Sequence, residues 1–193
     1  GAIEQALRAK YLVLAAAGCI TQPSLQPLFT GRDGETVPGI EGAWVQEGDG
    51  DEPMFMTLRP LEGSEYEMTL AGDGKVMPGA FAVRFGRIEG DLYWDLTARP
   101  LADEDALWGL HRLPVHSFAR VRWQDAQLEV AFVDPGWMKD AIEEGGLDIA
   151  HATTDRDRVL TASTEDLQQL ITDHAQDADF FGSPFVFHRH TAE

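Results

Sequence analysis

The chain is predicted to be an α+β domain in which an antiparallel β-meander curls into a barrel or half-barrel, with helices covering one face or end. Three observations carry this expectation. Short alternations of apolar and polar residues, separated by turn-forming residues, fill the middle of the chain. Two pairs of these runs have the spacing of tight hairpins, with the bulky side chains on one side only. Two later segments begin with a capping residue and continue with apolar residues at helical spacing.

The meander opens at Gly42 to Gln46, around Trp44. After the polar turn Glu47 to Pro53 come Met54 to Arg59 and then Glu65 to Leu70, where Tyr66, Met68 and Leu70 point one way and Glu65, Glu67 and Thr69 the other. Such a period of two places one face in the core and one in water. Phe81, Val83 and Phe85 alternate along the next strand, and Glu89-Gly90-Asp91 turns the chain into Leu92, Trp94 and Leu96. A second hairpin sets Ala119, Val121 and Trp123 against Leu128, Val130 and Phe132 around Gln124 to Gln127. Trp44, Trp94 and Trp123 are therefore expected in the core, while Phe118, Arg120 and Arg122 face outward, with the arginine stems over apolar surface.

Helices interrupt and close the meander. Asp103 to Trp108 is expected to be helical in the crossover between the hairpins. Asp134 and Pro135 form an N-cap and first-turn pair, followed by a stripe of Trp137, Met138, Ala141 and Ile142 and stopped by Gly145 or Gly146. Ser163 caps another helix, with Glu165 and Asp166 in its first turn and Leu167, Leu170 and Ile171 on its buried face. Short strands near Arg158 to Thr161 and Phe185 to His190 are expected to add to the sheet edges.

The N-terminal region carries a different signal. Tyr11 to Cys19, YLVLAAAGC, places the single cysteine after a short apolar run and an Ala-Ala-Gly triplet, behind Arg8 and Lys10. This is the pattern of a bacterial lipoprotein signal, in which Cys19 becomes the lipidated N-terminus. The alternative is an amphipathic first helix, since Ile3, Leu7, Tyr11 and Leu14 recur at nearly helical spacing. The expected organisation is a signal over 1–18, a tether over 19–40 rich in Pro, Gly, Ser and Thr, and a single β-rich domain over 41–193. No apolar stretch reaches the ~18–20 residues that span a bilayer, so membrane association is expected through Cys19 only. One cysteine also excludes an internal disulfide, leaving the core to hold the fold.

Asp and Glu number 33 against 15 Lys and Arg, a net charge of −18, which argues against nucleic acid or an anionic lipid surface as partner. Among the histidines, His188 and His190 share a strand face but lie near the terminus, and His111 and His116 have neither helical nor strand spacing. The acidic turns at 47–53 and 71–75 lack the ligand order of a calcium loop. There is no Gly-x-Ser-x-Gly elbow and no phosphate loop. Glu143, Glu144 and His151 are explained as a solvated cluster at a helix end. No metal or cofactor is implied. Trp108, Trp137, Phe180 and Phe181 fall outside the strand alternation, in or beside helices, where they either pack helix on sheet or line a hydrophobic site.

Four stretches, SLQPLFTGRD, GIEGAWV, LPVHSFARV and VLTASTEDLQQLITDHAQD, together resemble a family of small bacterial lipoproteins for which no activity is established. The resemblance implies an exported, lipid-anchored protein and no particular chemistry. Gly42-Ala43-Trp44 also resembles the opening Gly-x-Trp of lipocalins, which implies an up-and-down barrel with the tryptophan closing its base. Ile20 after Cys19 resembles the sorting pattern of lipoproteins held at the periplasmic side of the outer membrane. Together these signals predict a non-enzymatic module of the cell envelope that binds a protein partner or a small apolar ligand through Trp108, Trp137, Phe180 and Phe181. The alternative is a hydrolase using His116 and Ser117.

Overall fold

The structure, a computed structural model, describes residues 21–46, 53–72, 75–76, 79–99, 113–153 and 158–191. Its strands are β1 (Pro23–Ser24), β2 (Gly42–Gln46), β3 (Met54–Pro60), β4 (Glu65–Gly72), β5 (Lys75–Val76), β6 (Phe81–Ile88), β7 (Asp91–Ala98), β8 (His116–Gln124), β9 (Gln127–Phe132), β10 (His151–Thr153), β11 (Arg158–Leu160) and β12 (Phe185–Arg189). Two helices, α1 (Pro135–Glu143) and α2 (Thr164–His174), lie between β9 and β12 in the chain.

Eight of these strands form a closed antiparallel barrel in the order β8-β7-β6-β4-β3-β2-β12-β9, with β9 returning to pair with β8. The alternation dictates the closure. Phe85 pairs with Trp94, Trp94 with Ala119, and Val121 with Val130, so each stave turns its apolar set to the same interior. Trp44, Met56, Leu58, Tyr66, Val83, Phe85, Trp94 and Leu128 are buried there. β12 is the stave that completes the ring, pairing with β9 on one side and β2 on the other. The sequence places this segment only at a sheet edge, because its partners are far away in the chain.

The two ends of the barrel differ. One end carries three tight connections, at 61–64, Glu89-Gly90 and Asp125-Ala126, with Glu89 and Asp125 at positive φ. The segment Val37–Glu41 shuts this base. The Trp44 indole N–H donates to the Ile40 carbonyl at 2.9 Å, and the Tyr66 hydroxyl accepts from Val37 N at 3.0 Å and donates to its carbonyl at 3.2 Å. The Arg189 guanidinium lies 4.1 Å from the Trp44 ring centre and donates to the carbonyls of Glu41 and Gly39. Gly39, at φ +91°, lets the backbone pass against Trp123, which is partly buried at this end.

A second apolar layer covers the outer wall of β6, β7 and β8. Outward residues Ile88, Tyr93 and Phe118 pack with Leu28 and Phe29, with Met138 of α1, and with Leu167, Leu170 and Ile171 of α2. Both helices are capped as their sequences require: Asp134 accepts from Trp137 N, and Ser163 and Asp166 form a reciprocal capping box. Phe29 packs against the barrel where Gly86 has no side chain, since a Cβ there would be 2.5 Å from the phenyl ring.

The expected tether is corrected over its described part. Residues 21–40 belong to the folded body: Leu28, Phe29 and Ile40 are buried, and β1 pairs antiparallel with β8 and parallel with β11. Its prolines and glycines suggest a linker, but its spaced apolar residues cover the barrel wall and base. β11 likewise pairs with β1 and β10 in a small extension beyond the ring. The signal over 1–18, Cys19 and the helix expected at Asp103–Trp108 lie outside the described residues.

Candidate functional site

Because adjacent staves run in opposite directions, every inward residue at the end of β3, β4, β6, β7, β9 or β12 remote from the base converges on one mouth. Met54, Leu70, Phe81, Leu96, Phe132 and Phe185 occupy these positions, packed against the core but only partly buried. An open pocket of about 430 Å³ lies on the side of this mouth formed by β9, β12 and β2. Phe132, Pro184 and Phe185 supply apolar wall, while Gln46, Asp134 and Ser183 supply polar groups. The wall is pinned by the backbone: Gly182 N donates to the Phe132 carbonyl and Asp134 N to the Phe180 carbonyl, each at 2.9 Å.

Beneath the pocket the aromatic rings continue inward. Phe185 meets Phe132 edge-on at 6.2 Å, and Phe132 meets Trp94 at 6.1 Å. Among the described residues the buried Trp94 indole N–H has no acceptor. The site thus combines an apolar mouth with an aromatic stack running into the core.

The aromatic residues expected to make contact sit beside this mouth, in the outer layer. Phe180 is 0% exposed, and Trp137 and Phe181 are partly buried. Phe180 meets Trp137 at 4.7 Å and Phe181 at 4.8 Å, both edge-on. Arg120 holds the cluster to the wall, with its guanidinium 4.5 Å from the Phe181 ring centre and one N–H on the Ala175 carbonyl at 3.2 Å. The cluster backs the pocket, since Phe181 bridges Val133 and immediately precedes Gly182. Trp108 lies outside the described residues. Sequence reasoning missed Phe132 and Phe185 as site residues, placing Phe132 on the inward side of a hairpin strand and Phe185 in a short strand at the sheet edge. Their position at strand ends that alternate between base and mouth is the signal that identifies them.

His116 and Ser117 are neighbours on β8 and therefore project to opposite faces. His116 faces outward, with its Nδ1 2.6 Å from Asp95 Oδ1. Asp95 is 4% exposed, and its other oxygen accepts from Leu28 N at 2.7 Å. One carboxylate thus ties the N-terminal segment and β8 to the barrel wall. The Ser117 hydroxyl lies 3.2 Å from that of Thr21. Asp95 was visible in the sequence as an acid inside the otherwise apolar run Leu92–Leu96.

Other histidines are locally engaged: His174 Nδ1 lies 2.7 Å from Asp177 Oδ2, and His151 Nδ1 lies 2.8 Å from the Ile149 carbonyl. Glu143 is paired with Arg158 at 3.3 Å. Among the described residues no group of three or more His, Cys, Asp or Glu is placed to hold a metal ion, and no helix is long and apolar enough to cross a membrane. Burial and the nearby Asp91 push the Tyr93 phenol up to about 12, against the opposing pull of Arg120.

No family model matches the chain, and neither a curated protein nor a solved structure shows significant similarity to it.

Proposed function

We propose that this barrel is a non-enzymatic binding module that takes a small apolar ligand at its mouth. The observation that carries the reading is the asymmetry of the barrel. Trp44, Tyr66 and Arg189 lock the base shut, while the mouth presents a ring of partly buried apolar side chains around an open pocket. The pocket's size suits a small molecule better than a protein partner. The sequence before the fold supports an exported protein, anchored through Cys19 on the periplasmic side of the outer membrane.

Titration with an environment-sensitive apolar dye tests the binding reading. Phe185→Glu places a charge in the pocket wall and removes apolar contact worth about 1.5–3 kcal/mol, so dye affinity should fall tenfold or more while the far-ultraviolet spectrum is retained. Equal dye affinity in wild type and Phe185→Glu sinks the pocket assignment. Fatty-acid labelling in a bacterial host tests the anchor: the wild type should be tagged and Cys19→Ser should not.

A second reading, a hydrolase centred on His116, is favoured by the buried Asp95 carboxylate on its Nδ1, an arrangement that orients an imidazole for acid–base work. It needs a nucleophile on the face of His116, and Ser117 projects to the other. Ester hydrolysis abolished by His116→Ala would select it over the binding reading.

A further inference from the structure

We infer that the ligand of the pocket is an organic cation, an apolar body carrying a protonated amine, and that the Asp134 carboxylate selects it; the inference rests on the binding function proposed above. Phe132, Pro184 and Phe185 wall the pocket, with Gln46, Asp134 and Ser183 as its polar groups. Among the described residues that line it, Asp134 alone is charged, and none is Lys or Arg. Two bonds fix its place. Its backbone N donates to the Phe180 carbonyl at 2.9 Å, and its Oδ1 accepts from Trp137 N at 2.8 Å as the cap of α1. The second oxygen, Oδ2, has no hydrogen bond or ion pair among the described residues. A Cβ on Gly182, which shares the pocket wall, would stand 3.7 Å from Oδ2, so the absence of a side chain there leaves this oxygen uncovered on that side.

The end of α1 beside Asp134 is worth about half a positive charge, so capping leaves the carboxylate net negative. An apolar ligand that enters the pocket takes water away from Oδ2. A neutral ligand then leaves that oxygen with less solvation and no cation, an anionic one adds like charge, and an ammonium group supplies both a donor and the opposite charge. The Gln46 side-chain carbonyl and the Ser183 hydroxyl are acceptors for its remaining N–H bonds. Phe132 and Phe185 favour the same charge, because the face of a phenyl ring attracts a cation. The net charge of −18 acts in the same direction at longer range, drawing cations toward the domain and repelling anions. The ligand class is thus an amine with an aryl or alkyl body, and carboxylates such as fatty acids are disfavoured.

Matched probes test the charge separately from the pocket. 1-Naphthylmethylamine, the neutral 1-naphthalenemethanol and the anionic 1-naphthoate are titrated calorimetrically into the full chain at about 0.15 M salt, where distant charges are screened beyond about 8 Å. The amine should bind the wild type about tenfold more tightly than the alcohol, and the naphthoate more weakly than either. Asp134→Asn keeps an acceptor for the α1 cap and turns the second oxygen into an N–H donor, so the amine-to-alcohol ratio should fall to about one while helical circular dichroism is retained. Asp125→Asn removes one negative charge at the base of the barrel and should keep the wild-type ratio. A ratio near one in the wild type, a ratio that Asp134→Asn does not change, or an equal fall in Asp125→Asn overturns the cation inference, the last by making the charge of the whole domain its source. The alcohol reports on the pocket alone. Alcohol binding that is weakened by Phe185→Glu, together with a wild-type ratio of one, leaves the pocket standing without its cation; absence of binding by both alcohol and amine overturns the two together.

Discussion

Asp95 is the residue whose removal should be felt furthest from its own position. Its carboxylate is 4% exposed and accepts two hydrogen bonds, from Leu28 N at 2.7 Å and at 2.6 Å from His116, if that nitrogen carries the proton. Bonds to a charged partner contribute about 1.5–3 kcal/mol each. Asp95→Ala forfeits both and leaves the Leu28 N–H buried without an acceptor, while relieving the cost of burying a charge. Breaking a buried pair in this way costs roughly 3–5 kcal/mol. For a domain of this size that corresponds to a fall in melting temperature on the order of 10 °C. Asp95→Asn retains an acceptor for Leu28 N and should lose only about 1–2 kcal/mol. Urea unfolding of wild type and the two variants, followed by tryptophan fluorescence, measures the series. Limited proteolysis should cut Asp95→Ala first within 21–30, the segment that the carboxylate holds. An Asp95→Ala variant within about 1 kcal/mol of wild type would refute the argument, because an orphaned buried donor alone should exceed that.

Two other perturbations test separate parts of the fold. Gly86→Ala places a methyl group 2.5 Å from the Phe29 ring and should cost about 1–3 kcal/mol in the same unfolding assay; no loss would mean that Phe29 is not seated on the barrel wall. Tyr93 ionises near 10 in the unfolded chain and at about 12 in the fold, so the neutral phenol's contribution to stability is intact below pH 10 and is lost as pH rises from 10 to 12. Unfolding curves across that range should show the decline in wild type and a shallower one in Tyr93→Phe, and parallel curves would contradict the assignment.

Much of the architecture is written in local patterns. The period-two alternations at 54–59, 65–70, 81–85, 92–96, 119–123 and 128–132 all become staves, with the apolar set inside, because register is forced wherever one face must be buried. The capping residues Asp134 and Ser163 mark helix starts that the structure keeps, since a cap is satisfied by backbone groups within the next turn. Phe185–Arg189 is different. Its alternation is visible, but its place as the stave between β2 and β9 depends on partners more than fifty residues away. The segment over 21–40 misleads for the same reason: its prolines and glycines describe local backbone freedom, while its burial is decided by a barrel wall that does not exist until the distant strands close.

The candidate site divides in the same way. Residue type alone picks out His116 and the aromatics at 180 and 181, but not what each one faces. Only the closed barrel separates His116 from Ser117 on opposite faces, joins His116 to Asp95, and gathers Phe132 and Phe185 at one open end while Trp44 and Arg189 seal the other. Periodicity determines which side of a strand is apolar, because that follows from bonds between neighbours along the chain. Which strand ends form a base and which a mouth is a property of the ring, set by pairing between residues remote in sequence, and so it belongs to the tertiary structure.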